Sequence, residues 1–81
     1  MSIPLTDAKP GSLCRIVSIT ADIRYRQRLL EMGIVDDVEI EVIREAPLFD
    51  PREYKIGDFY LGLRKSEASK ILVELITSVK D

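Results

Sequence analysis

The 81 residues carry 12 basic and 14 acidic side chains, a net charge of −2. A chain this short is expected to form one domain over residues 1–81 and to bury only about 60–65% of the surface its unfolded form exposes, which leaves room for a binding module and little for a deep active site. The charge balance offers no general attraction to nucleic acid or anionic lipid; no run of 18 apolar residues and no signal-peptide pattern occurs, so the chain is expected to be cytoplasmic and to insert into no membrane.

Residues 3–8 lead in, and Lys9-Pro10-Gly11 has turn chemistry, proline pre-setting one dihedral and glycine free to take positive φ. A first strand is expected over residues 12–19. Its alternation is imperfect, with Cys14 and Ile16 pointing one way and Leu13, Val17 and Ile19 the other, as in a strand covered on both faces. Cys14 is the one cysteine, has no internal disulfide partner, and reads as an inert buried thiol.

One segment has a helical period. A helix is expected over residues 22–32, with Tyr25, Leu29 and Met32 at i, i+4 and i+7 on the core face and Arg24, Arg28 and Glu31 opposite. Leu30 and Arg26 lie at the margin of the apolar face, where an arginine can lay its methylene stem on apolar neighbours. Asp22 is the expected N-cap. Gly33 is the expected left-handed C′ residue, with Ile34 packing back onto Leu29.

Val38, Ile40 and Val42 then alternate with Glu39 and Glu41 as a strand with one wet face. Pro47 and Pro51 break the ladder into a loop. Tyr54 and Ile56 form a third strand, Gly57-Asp58 turns it, and Phe59, Leu61 and Leu63 continue as the fourth. Ser66 is the expected cap of a short helical turn over residues 66–70, and Ile71, Val73 and Leu75 alternate in a last strand. The expected fold is all-β: five short strands closed into a small barrel, since closure removes the edges an open sheet would expose.

Three stretches resemble the FeoA domain family of bacterial ferrous-iron transport: Tyr25-Arg26-Gln27-Arg28-Leu29-Leu30-Glu31-Met32-Gly33, Ala46-Pro47-Leu48 with Asp50-Pro51, and Leu61-Gly62-Leu63-Arg64-Lys65-Ser66-Glu67-Ala68 followed by Ile71-Leu72-Val73. The resemblance covers nearly the whole chain and implies an SH3-like barrel. Two positions depart from the family pattern. Phe49 stands where the family usually has glycine, and Asp36-Asp37 replaces its usual Pro-Gly turn, a mild change because aspartate tolerates turn conformations.

Arg24, Arg26 and Arg28 could offer guanidinium forks to phosphate, but with no Gly-rich phosphate loop the preferred reading is a solvated helix face, Arg28 pairing with Glu31 at i+3. Asp37, Glu39 and Glu41 share a strand parity and could present hard oxygen ligands to a cation. The resemblance carries a transition-metal-binding label, yet the chain has no histidine and one cysteine, so the carboxylates read as the wet face of a strand, with Cys14 no substitute ligand set. No cofactor is expected. With no histidine and no partner arrangement around any serine or Cys14, no enzymatic activity is expected either. Leu48 and Phe49, at the tip of a proline-braced loop, read either as a leucine folded back onto the core with a partly exposed ring or as an apolar anchor for another protein, to which Arg24 and Arg28 on the exposed helix side would add weaker rim charges.

The resemblance therefore implies a non-enzymatic accessory module that binds the cytosolic part of the FeoB transporter. The alternatives are an SH3-like module acting in metal-dependent transcription, whose DNA-reading domain another chain would have to supply, and a self-associating structural module that forms a homo-oligomer.

Overall fold

The computed structural model describes residues 1–45 and 51–77. Strands β1 (Ile3–Pro4), β2 (Leu13–Ile19), β3 (Glu39–Glu45), β4 (Arg52–Ile56), β5 (Phe59–Leu63) and β6 (Ile71–Thr77) form one antiparallel sheet in the order β1-β6-β2-β3-β4-β5. The helices are α1 (Ile23–Glu31) and the single turn α2 (Lys65–Ala68), with a 3-10 turn at Leu5–Asp7. The fold is thus mostly β with one longer helix, as expected, but six strands replace the expected five. The extra one, β1, is two residues long and contains Pro4, so it has no alternation to read; proline is tolerated there because β1 lies at the edge of the sheet.

The chain just beyond β1, at one end of the sheet order, approaches β4, the neighbour of the strand at the other end. Arg52 on β4 is 3% exposed; its Nη1 donates to the Thr6 carbonyl at 3.0 Å and its Nη2 to the Ala8 carbonyl, both just beyond β1. A guanidinium thus ties β4 to the segment that follows β1, where no strand ladder does. Inside lie Leu5, Cys14, Ile16, Leu29, Ile34, Ile40, Val42, Tyr54, Leu63, Ile71 and Val73.

The imperfect alternation of β2 reports a bulge rather than coverage on both faces. Ile16 faces Val73 and Ser18 faces Leu72, which leaves Val17 as the extra residue. Val17 is exposed, and the phase shift after it lets Ile19 pack against the same core as Cys14 and Ile16. A second irregularity leaves Ile76 unpaired between Leu75 and Thr77, and both Leu75 and Ile76 are exposed. In the β4–β5 hairpin Ile56 faces Phe59 across Gly57-Asp58, Gly57 at φ +57.

Helix α1 is closed by the caps expected for it. Asp22 Oδ1 accepts from Tyr25 N at 2.9 Å. At the other end Gly33 takes φ +86, its N–H donates to Leu30 O at 3.0 Å, and Ile34 N–H donates to Leu29 O at 2.9 Å, the paired bonds of a Schellman motif. Met32 differs from expectation. It is the C-cap residue and is exposed, because the chain has left the helix there and its side chain no longer follows the face of Tyr25 and Leu29. Asp37 stands at φ +70, the left-handed conformation for which the family turn uses glycine, and its N–H donates to Ile16 O at 2.7 Å.

The cap of α2 is Arg64 rather than Ser66. Glu67 Oε1 accepts from Arg64 N at 2.9 Å, so the carboxylate three residues on fixes the start of the turn.

Candidate functional site

Helix α1 presents three faces. Leu29 is fully buried, and Tyr25 beside it is partly buried. Arg24 and Arg28 are exposed, as expected. The expected Arg28–Glu31 ion pair does not form among the described residues. The third face was not anticipated: Ile23, Gln27 and Leu30, with Arg26 at their edge, line an open groove of about 520 Å³ whose other wall is Ile19, Ile34, Val35 and Asp36. Ile23 is 86% exposed and Leu30 52%. Leu48 and Phe49 lie outside the described residues.

Tyr25 also joins α1 to α2. Burial first, and then the neighbouring Glu67 carboxylate, which repels a phenolate, push the Tyr25 pKa up to about 12. Lys70 Nζ stands 4.9 Å from the centre of its ring. Because the folded pKa exceeds the ordinary phenol value of 10.0, the folded state holds this proton more tightly than the unfolded chain. The resulting stabilisation is complete below pH 10 and is lost as pH rises toward 12. Tyr25→Phe, which cannot ionise there, should therefore gain stability relative to the wild type as pH rises from 8 to 11; an unchanged melting gap across that range would show that the phenol does not titrate with folding.

The carboxylates expected to share a strand face do not converge. Asp37 sits in the left-handed turn before β3, Glu39 stands opposite Arg15 on β2, and Glu41 stands opposite Lys55 on β4. Opposite charges across strands are an ordinary sheet pairing. Among the described residues no three His, Cys, Asp or Glu side chains come together as a metal site. Cys14 is fully buried, and desolvation pushes its thiol pKa up, away from the thiolate that a metal needs. These donors do not fit a resident transition metal. Anaerobic calorimetry at neutral pH should show no Fe²⁺ or Zn²⁺ site tighter than roughly micromolar, or about −8 kcal/mol; a stoichiometric tighter site would mean that the oxygen donors rearrange around the ion.

Among the described residues no helix is long and apolar enough to cross a membrane. What the site offers is surface: an apolar groove with exposed arginines beside it, on a helix locked at both ends.

Known proteins match this description. The FeoA domain pattern matches residues 3–75. A Porphyromonas gingivalis protein, an Fe(2+) transport protein A/Fe(2+) transporter FeoB fusion, is 42% identical over 74 residues, which is 91% of this chain but 9% of that protein. The NMR structure of a FeoA-like protein from Clostridium acetobutylicum superposes with a TM-score of 0.88 at 32% identity, covering 99% of this chain and 93% of that one. Stenotrophomonas maltophilia FeoA, solved in complex with zinc and described as a prokaryotic SH3 domain protein, gives a TM-score of 0.75 at 24% identity over 91% of this chain and 89% of that one. The fold also recurs in a manganese-dependent transcriptional repressor, with a TM-score of 0.85 at 18% identity over 93% of this chain and 37% of that one. The barrel is SH3-like, and the chain belongs to the FeoA domain family, whose members accompany ferrous-iron transport.

Proposed function

We propose that this chain is a cytoplasmic, non-enzymatic accessory module of ferrous-iron transport that docks on the cytosolic part of a FeoB-like membrane transporter. The observation that carries this reading is the Porphyromonas gingivalis relative, which by its name joins a transport protein A to the transporter FeoB in one chain. Tethering holds two modules at about millimolar effective concentration, so a contact too weak to assemble separate chains suffices within one. Docking requires a surface on this module. Leu48 and Phe49 supply its apolar anchor, and Arg24 and Arg28 supply charges that steer approach. The absence of histidine from the sequence supports a role in binding rather than in proton transfer at neutral pH.

The test is the affinity of the full chain for the purified cytosolic portion of the transporter, with sedimentation of each variant alone. Phe49→Gly should weaken association by about 1–3 kcal/mol, whereas Arg24→Ala and Arg28→Ala should act mainly on a salt-dependent association rate. Unchanged affinity in Phe49→Gly would move the interface off Leu48 and Phe49, and concentration-dependent sedimentation of the chain alone would favour the self-associating module.

A second reading, a module of metal-dependent transcription, is favoured by the fold shared with the manganese-dependent repressor. Among the described residues the longest helix has nine residues, and the chain's net charge is −2. Any contact with DNA would then be made by residues outside this domain.

A further inference from the structure

We infer that the groove along α1 receives an acidic amphipathic helix of the transporter's cytosolic portion, one large apolar side chain of which seats between Ile23 and Leu30 while its carboxylates face Arg26. This rests on the docking reading above and assigns it a second set of contact residues besides Leu48 and Phe49.

Three observations support the assignment. First, α1 already gives Leu29 to the core, yet Ile23 and Leu30 are left 86% and 52% exposed on another face of the same nine-residue helix. Folding of the chain leaves most of Ile23 and about half of Leu30 uncovered, and isoleucine is a weaker helix former than the straight-chain residues that would serve an exposed face. Second, the geometry suits a helix. Ile23 and Leu30 are seven residues apart, about 10 Å along the axis, the two-turn repeat with which one helix packs its ridge beside another. The groove's volume of about 520 Å³ is walled on the far side by Ile34 and Val35, so an apolar side chain entering it meets apolar surface on both sides.

Third, the charges select the partner's sign. Arg24, Arg26 and Arg28 with one glutamate, Glu31, make α1 a local positive patch on a chain of net charge −2. None of the three arginines forms an ion pair among the described residues. Arg26 lines the groove itself, and Arg24 and Arg28 stand further round the helix, near enough to attract an acidic segment at physiological salt. Asp36, at the loop end of the groove, disfavours carboxylates there and fixes the orientation of the incoming helix.

Ile23→Glu separates binding from folding. The position is exposed and is the first residue of α1, where a carboxylate is favourable to the helix dipole. The wild-type chain, Ile23→Glu, Arg26→Glu and Phe49→Gly are titrated with the purified cytosolic portion of the transporter at two salt concentrations. Isoleucine and leucine methyl NMR signals of the full chain are followed at the same time. Ile23→Glu should keep its melting temperature and lose at least about tenfold in affinity. Arg26→Glu should lose several-fold and flatten the salt dependence, and the methyls of Ile19, Ile23, Leu30 and Ile34 should shift on binding.

If the transporter portion binds with wild-type affinity to Ile23→Glu and leaves these methyls unmoved, the groove assignment is overturned and the docking reading stands. If wild-type chain does not bind that portion at all, both fall together. Binding that strengthens with salt would overturn the acidic occupant. Self-association abolished by Ile23→Glu would show that a second copy of this chain fills the groove instead.

Discussion

Leu29→Ala is expected to destabilise the fold by about 2–5 kcal/mol, the usual cost of truncating a fully buried leucine. Leu29 is 0% exposed. Its carbonyl accepts both the Met32 N–H, at 3.0 Å, and the Ile34 N–H, at 2.9 Å, and the Ile34 side chain is 1% exposed in the same core. The substitution therefore opens a cavity where the helix, its C-terminal cap and the sheet meet. Typical domains have only about 5–15 kcal/mol of stability in all, so a domain of this size should lose a large share and melt well below the wild type. Urea unfolding followed by circular dichroism measures the loss. A midpoint equal to that of wild type would mean that α1 is not anchored to the sheet through this residue.

What the sequence made legible was local chemistry. Asp22 as N-cap, Gly33 as a left-handed C′ residue and the Ile34 contact with Leu29 each depend on residues within one turn of the helix, so spacing alone specifies them. Asp37 belongs to the same class, because it adopts at φ +70 the turn conformation that aspartate tolerates. Strands with clean alternation were legible too: Ile40 and Val42 are fully buried, as their parity requires.

What depended on partners distant in sequence was not legible. The bulge at Val17 is defined by the register between β2 and β6, and β1 exists only because Val73 and Leu72 lie beside Ile3 and Pro4. The groove face of α1 was missed because Tyr25 and Leu29 already accounted for a core-facing stripe. Its signal was present, however: Ile23, Gln27 and Leu30 form a second stripe at i, i+4 and i+7, and a helix in a protein with one core needs only one.

Arg52 was overlooked because a charged residue after a proline reads as solvent-facing, although it shares strand parity with the buried Tyr54. Arg52→Ala is expected to cost about 3–5 kcal/mol, through loss of two charge-assisted hydrogen bonds and the stranding of the Thr6 and Ala8 carbonyls. The guanidinium carbon also stands 5.6 Å from the centre of the Tyr54 ring, so truncation removes packing along with the donors. Arg52→Lys keeps the charge but offers a single flexible point of donation in place of a planar fork, and it should recover only part of the loss, ending about 1–3 kcal/mol below wild type. The location of the damage distinguishes a tie between β4 and the segment after β1 from general destabilisation. The Ala8 N–H donates to Leu5 O at 3.1 Å in the segment that Arg52 holds. Hydrogen exchange at Ala8 should accelerate in Arg52→Lys by more than exchange at Val73, at the centre of the β2–β6 pairing. Equal acceleration at both amides would mean that Arg52 contributes bulk stability without making that tie, and a lysine variant as stable as wild type would remove the requirement for the fork.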